Sequence, residues 1–180
     1  SEYALINCFQ IYSRYKPLFK ELRKFPKLFI NLESKLSIKN LTNIVKVAKE
    51  RSFPIAAVVI GRTDLSSSLN IEDVNSSEIL EISKQILNYK DLFDITVGGN
   101  LNSNSYEFIK ELTDLGIKSF ESRKCTFKAD KFLNKKQFNE ILKIGLEFEL
   151  SWLNYKKEFY SNRSNLDDNR IKVINNRLQL

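Results

Sequence analysis

Histidine is absent from all 180 residues, and that absence removes imidazole-based triads, histidine acid–base chemistry and zinc sites that rely on imidazole. Only two cysteines are present, Cys8 and Cys125, and their separation shows no metal-binding or redox spacing. Carboxylates, Lys, Arg, Ser and backbone groups are left as the chemical inventory. No apolar run approaches the ~20 residues that span a bilayer. No charged-then-apolar leader precedes the helix-like pattern that follows Ser1-Glu2. A cytoplasmic chain with reduced thiols and no membrane segment is expected. Gly61-Arg62-Thr63-Asp64 lacks the further glycines and the lysine of dinucleotide and P-loop motifs.

What is present describes a globular chain. Apolar residues make up 42% and aromatics 12%, which excludes general disorder. A chain of this length buries roughly 70% of its unfolded surface in one domain. The net charge of +7, from 29 Lys and Arg against 22 Asp and Glu, is spread among Asn, Ile and Phe. Its densest segment, Lys16 to Lys27, reads as a solvated helix face and loop, so no nucleic-acid partner is expected.

The chain is organised around Ile55 to Leu69. Six apolar residues, Ile55 to Ile60, run without polar alternation, as in a strand buried on both faces of a parallel sheet. Gly61 and Asp64 follow at the carboxyl end of that strand, where α/β sheets and barrels bind ligands. In chain order the pattern predicts a leading helix over residues 2–15, a strand over Lys27 to Glu33 and a helix over Leu36 to Lys49, with Asn40 or Ser37 as its cap. The strand at Ile55 comes next, then a polar loop and a helix led by Ser76-Ser77-Glu78. A strand over Asp94 to Asn100 precedes a helix opened by Ser103-Asn-Ser-Tyr-Glu107, with a stripe of Tyr106, Ile109, Leu112 and Leu115, that Gly116 ends. A fourth strand is expected over Ile117 to Phe127. A long helix over Asn134 to Tyr160 has a stripe of Phe138, Ile141, Leu142, Leu146, Phe148, Trp152 and Leu153, and a last short helix occupies the tail. Alternating strands and helices imply parallel pairing through crossovers.

Glu33 closes the first strand and Asp64 follows the second, so on neighbouring parallel strands both carboxylates emerge at one edge. Such a pair suits Mg²⁺ or Mn²⁺; the alternative is a helix cap at Asp64 and a surface Glu33. Gly98-Gly99 after the third strand permits close backbone approach to a ligand, or forms a tight turn. Glu121, Arg123 and Cys125 share one face of the expected fourth strand, where Glu121 and Arg123 form either a structural ion pair, the favoured reading, or a substrate clamp. Cys125 reads as a small packed hydrophobe.

Four motifs in order, Ile30-Asn-Leu-Glu33, Val59-Ile-Gly-Arg-Thr-Asp-Leu-Ser-Ser-Ser68, Val97-Gly-Gly-Asn100 and Phe120-Glu-Ser-Arg-Lys124, resemble the HpcH/HpaI aldolase and citrate lyase beta-subunit family. The tail, with Gly145 to Leu153, Asp167 to Ile171 and Asn176-Arg177, is similar to a bacterial aldolase/citrate-lyase-like branch. The resemblance implies a (β/α)₈ TIM barrel, of which residues 1–130 supply a leading helix and the last four parallel strand-helix units and residues 131–180 a helical extension. It implies a metal-dependent lyase that makes or breaks carbon–carbon bonds of a 2-oxo acid or acyl-CoA type substrate through a metal-stabilised enolate. By resemblance, Glu33 and Asp64 are metal ligands for Mg²⁺ or Mn²⁺, and Gly61, Arg62, Thr63, Gly98, Gly99 and Arg123 bind a small carboxylate, with a CoA thioester among the options. The family's catalytic arginine belongs to the first half of the barrel and has no counterpart here. Completion by an amino-terminal half chain or by self-association into a homo-oligomer is therefore expected. A non-catalytic family member acting as a binding or scaffold protein is the alternative.

Overall fold

The computed structural model describes residues 28–50, 55–132, 134–159 and 164–178; the expected leading helix, the basic connector and Cys8 lie outside them. In chain order the elements are β1 (Leu28–Leu32), α1 (Lys35–Lys39), α2 (Leu41–Glu50), β2 (Ile55–Gly61), α3 (Arg62–Ser68), α4 (Ser77–Leu87), β3 (Asp94–Gly98), α5 (Tyr106–Leu115), β4 (Ser119–Glu121), β5 (Thr126–Lys128), α6 (Lys135–Phe159) and α7 (Ser164–Leu178), with short 3₁₀ turns at Ser103–Ser105 and Ala129–Lys131. The chain is an α/β protein. Its five strands form one sheet in sequence order, with β1 to β4 parallel and β5 antiparallel to β4.

Register explains which face carries the core. Leu32 pairs with Ile60, Ile60 with Val97 and Val97 with Phe120, and these four form a fully buried row. Ile30, Val58 and Ile95 lie two residues back on the same face. Together these seven join one hydrophobic cluster with Leu41, Ile44, Val45, Leu65, Ile79, Ile86, Phe108, Ile109 and Leu112 from the helices. The opposite face carries Asn31, Val59, Thr96 and Ser119 in one row, where the Thr96 and Ser119 hydroxyls hydrogen-bond at 2.7 Å. Ala57 and Val59 on that face are buried yet stand outside the cluster.

Local chemistry sets the helix ends. Ser34 caps α1 by accepting from Ser37 N at 3.1 Å, while Ser34 N donates to Ser37 Oγ at 3.1 Å. The single helix expected over Leu36 to Lys49 is thus two helices, with Asn40 closing the first. Ser76 caps α4 and Gly116, at φ +108°, ends α5, both as expected. The segment after Gly61, expected to be helical only in the alternative that made Asp64 a cap, forms α3, which starts earlier, at Arg62.

The expected fourth strand is a hairpin. Ser122 N donates to Cys125 O at 2.8 Å and Cys125 N to Ser122 Oγ at 3.2 Å, turning the chain between β4 and β5. In one continuous strand Phe120 and Phe127, an odd number of residues apart, would face opposite ways. The reversal pairs them on one face, with rings stacked at 5.2 Å. Phe132 and Phe138 pack edge-on and tilted against Phe120 at 5.7 and 5.4 Å. Glu121, Arg123 and Cys125 therefore do not share a strand face, and no ion pair joins Glu121 to Arg123.

Helix α6 meets this aromatic group through Phe138, Leu142, Leu146 and Leu153, all buried, whereas Phe148 and Trp152, expected in the stripe, are exposed. Trp152 instead lies under Lys124 Nζ at 4.0 Å and Lys156 Nζ at 5.3 Å. Helix α7 packs back on α6 through Ile174 and through Lys156–Asp167 at 2.7 Å and Lys157–Asp168. Among the described residues no helix is long and apolar enough to cross a membrane.

Gly145 lies mid-way along α6, where alanine is ordinarily better by about 1 kcal/mol. A Cβ there would sit 2.3 Å from Phe127 Cζ, so the ring or the helix must move, at a cost of about 1–3 kcal/mol. Gly145→Ala is expected to lower stability in urea unfolding despite its better helix propensity.

Candidate functional site

One residue past the buried row, at the carboxyl ends of the parallel strands, the sheet presents Glu33, Gly61, Gly98 and Glu121 in line. Gly61 and Gly98 are register partners. The Glu33 side chain lies over Gly61, its Cγ 2.6 Å and its Oε1 3.0 Å from where a Cβ would be. Glu121 lies over Gly98 in the same way, Cγ at 3.0 Å and Oε1 at 3.2 Å. A Cβ at Gly61 would make Glu33 shift, and one at Gly98 would press Glu121 back by a few tenths of an ångström. The two carboxylates thus reach inward over adjacent strands, which run ~4.8 Å apart.

Above this row opens a cleft of about 600 Å³, within the size range of small-molecule sites. Asn31, Glu33, Val59, Gly61, Thr63, Asp64, Gly98 and Gly99 line its floor side, and Asn100, Glu121, Ser122, Arg123, Arg170 and Arg177 complete its wall. Asn31 Nδ2 donates to Glu33 Oε1 at 3.1 Å, orienting that carboxylate. Asp64 stands exposed in the first turn of α3 and does not cap it, since Gly61 occupies the cap position. Glu33 and Asp64, expected as a pair, therefore face one cleft, with Gly61, Thr63, Gly98, Gly99 and Arg123 alongside.

Arg62 departs from this arrangement. It is fully buried, with Nε donating to Gly98 O at 3.1 Å, Nη2 to Gly99 O at 2.7 Å and Nη1 to Asn75 Oδ1 at 2.6 Å. Its guanidinium lies 4.7 Å from the Phe108 ring centroid. Burial pulls its pKa down to about 10, with the charge of Asp73 opposing, so it stays a cation at neutral pH. Arg62 does not line the cleft; it fixes the loop that does. Gly99, at φ +89°, packs so closely on the start of α3 that a Cβ would lie 2.6 Å from Thr63 N.

Of the charged wall residues, Arg170 and Arg177 stood outside the expected site, and Glu121 was weighed only as the partner of Arg123. Glu121 is half-buried, and burial raises its carboxyl above the ordinary 4.5, against a lowering hydrogen bond from Thr126. Its signal was its position one residue beyond Phe120, in line with Gly98. Arg170 and Arg177 come from α7, far along the chain, and no local pattern connects them to the sheet. Arg170 donates from Nε and Nη2 to Oε1 and Oε2 of the fully buried Glu149 at 2.8 and 2.9 Å. Arg177 Nη2 donates to Asn100 Oδ1. Cys125 is half-buried with its thiol pushed up by burial and then by the charge of Glu149, which keeps it a poor nucleophile.

Replacing Arg62 by Met removes its hydrogen bonds to the Gly98 and Gly99 carbonyls and to Asn75. Calorimetry or denaturant titration is expected to show a loss of about 3 kcal/mol or more, and Arg62→Lys, one ammonium facing three acceptors, is expected not to restore it. Glu121 makes a separate, pH-dependent prediction. Its raised folded value means the folded state keeps this proton longer than the unfolded state, so its contribution to stability is full below the unfolded value and is lost as pH rises through the folded one. Carboxyl ¹³C NMR is expected to show a midpoint above that of exposed glutamates, moving higher still in Thr126→Val, while Glu121→Gln flattens this part of the stability profile. Compared with known proteins, the chain matches no protein-family model and no curated protein.

Proposed function

We propose that the cleft is the site of a metal-dependent, aldolase or lyase-like reaction on a small 2-oxo acid or acyl-CoA type carboxylate. The observation that carries this reading is the row Glu33, Gly61, Gly98, Glu121, in which two glycines leave room for two inward carboxylates at the ends of parallel strands. The strand order supports the finer reading of the sheet as part of a (β/α)₈ wall. Four parallel strands in sequence order step always in one direction, and right-handed crossovers then bring their helices to one face. The other face is left to line a lumen.

The donor set suits a hard cation. Glu33 and Asp64 offer carboxylate oxygens beside the Thr63 hydroxyl, and Mg²⁺ or Mn²⁺ characteristically takes one or two carboxylates while keeping several waters. Among the described residues no three Asp, Glu or Cys side chains come together as a metal site, so the proposed ion would rest on two carboxylates and water. Bound there, such an ion would act as a Lewis acid on the ligand's keto and carboxylate oxygens.

The chain's own residues have separable tasks in this scheme. Asn31 orients Glu33, and the arginines of the wall attract the anionic substrate. Glu121 is the group suited to proton transfer, because the chain has no histidine and burial favours the protonated carboxyl. When a carbon–carbon bond breaks, the carbon that retains the electron pair needs a proton, and Glu121 faces the same cleft.

Isothermal titration with Mg²⁺ and oxalate tests the reading. Oxalate is expected to bind only when Mg²⁺ is present, and Glu33→Gln combined with Asp64→Asn to weaken that binding by about tenfold or more, ~1.4 kcal/mol. Metal-independent binding, or binding indifferent to both substitutions, would remove the metal-site mechanism.

A further inference from the structure

We infer that Arg177 on α7, with Arg123 in the β4–β5 turn, forms a second anion subsite in the cleft, so that the preferred ligand carries two separated anionic groups. The proposal rests on reading the floor as the metal and carboxylate site, and it concerns the arginine-bearing wall of the same cleft.

The charges of the cleft are segregated. Glu33, Asp64 and Glu121 belong to the strand ends and α3, while Arg123, Arg170 and Arg177 come from the turn and from α7. These three arginines do not have equal roles. Arg170 is committed to Glu149 through a two-pronged ion pair with both carboxylate oxygens, so its charge is answered inside the protein. Arg177 has a neutral partner, the Asn100 amide oxygen. Among the described residues neither Arg177 nor Arg123 forms an ion pair.

Arg177 is also held where a counter-ion is wanted. Burial and the neighbouring Arg170 charge both pull its pKa down, with Glu149 only partly opposing. A partly desolvated guanidinium beside another cation gains when an anion arrives. Its planar fork presents further N–H donors matched to carboxylate or phosphate oxygens. Asn100 holds the fork in place and is itself held, at φ +47°, immediately after Gly99. That loop is stapled by Arg62, so the subsite is tied to the floor by a rigid connection. The cleft thus carries carboxylates from the strand ends and α3 and cations from the β4–β5 turn and α7.

Two titrations of the whole chain separate this inference from the floor reading. Without metal, inorganic phosphate is added while the arginine Nε–Hε signals are followed by NMR. Saturable shifts at Arg177 and Arg123 are expected, with binding weakened about tenfold in Arg177→Gln and partly recovered in Arg177→Lys, which keeps charge but loses the fork. With Mg²⁺, Arg177→Gln is expected to weaken 2-oxoglutarate about tenfold and leave pyruvate, which has one carboxylate, unchanged. Circular dichroism verifies that the variant folds. The inference is overturned if phosphate leaves the Arg177 signal unmoved, if Arg177→Gln binds phosphate as the parent does, or if pyruvate and 2-oxoglutarate lose affinity equally. Phosphate binding at Arg177 without Mg²⁺-dependent oxalate binding would remove the floor reading and keep the anion subsite.

Discussion

The buried guanidinium of Arg62 is the interaction on which the site depends. Taking a cation out of water is costly, and among the described residues no carboxylate hydrogen-bonds to it. Two carbonyls at the end of β3, the Asn75 amide oxygen and the face of Phe108 replace its hydration. The Gly98 and Gly99 carbonyls, at the point where the sheet stops pairing, are answered by the same group. One side chain thus fixes the relation between the end of β2, the start of α3 and the loop after β3. Everything that faces the cleft from those segments inherits that geometry.

The sheet supplies the second constraint. Side chains alternate between faces, so a fully apolar row can be followed by a polar one without weakening the core. Leu32, Ile60, Val97 and Phe120 anchor the helices, and Glu33, Gly61, Gly98 and Glu121 sit one position beyond. The glycines matter by what they omit. A Cβ at Gly61 would displace Glu33, and one at Gly98 would crowd Glu121. The carboxyl ends of the strands become a floor where two acids lean toward each other.

Over this floor, the helical pair α6 and α7 contributes charge of the opposite sign. Glu149, fully buried in α6, holds Arg170, and that pair aligns α7 so that Arg177 reaches Asn100. The aromatic group of Phe120, Phe127, Phe132 and Phe138 locks α6 to the β4–β5 hairpin, with Gly145 giving the Phe127 ring its room. Packing on the core face therefore decides where the arginines stand on the cleft side. The cleft is assembled from both ends of the described chain.

The sequence by itself determined the elements whose signals are local. An unbroken apolar run at Ile55 to Ile60, a serine cap at Ser76, a glycine after Leu115 and the alternation of strands with helices specify an α/β chain, because periodicity and capping are short-range physics. It also brought forward Glu33, Asp64 and the glycine pairs, since residues at strand ends share an edge once the strands are parallel. Only the tertiary structure decided the rest. The hairpin at Ser122 to Cys125 was hidden because alternation continues through a turn, and its need appears only when Phe120 and Phe127 must both reach α6. Arg62 reads as a site residue in sequence and becomes a buried staple in space, since nothing local says which way its side chain points. Arg170, Arg177 and Glu121 join one cleft through contacts between segments distant in the chain, and no periodicity records such a contact.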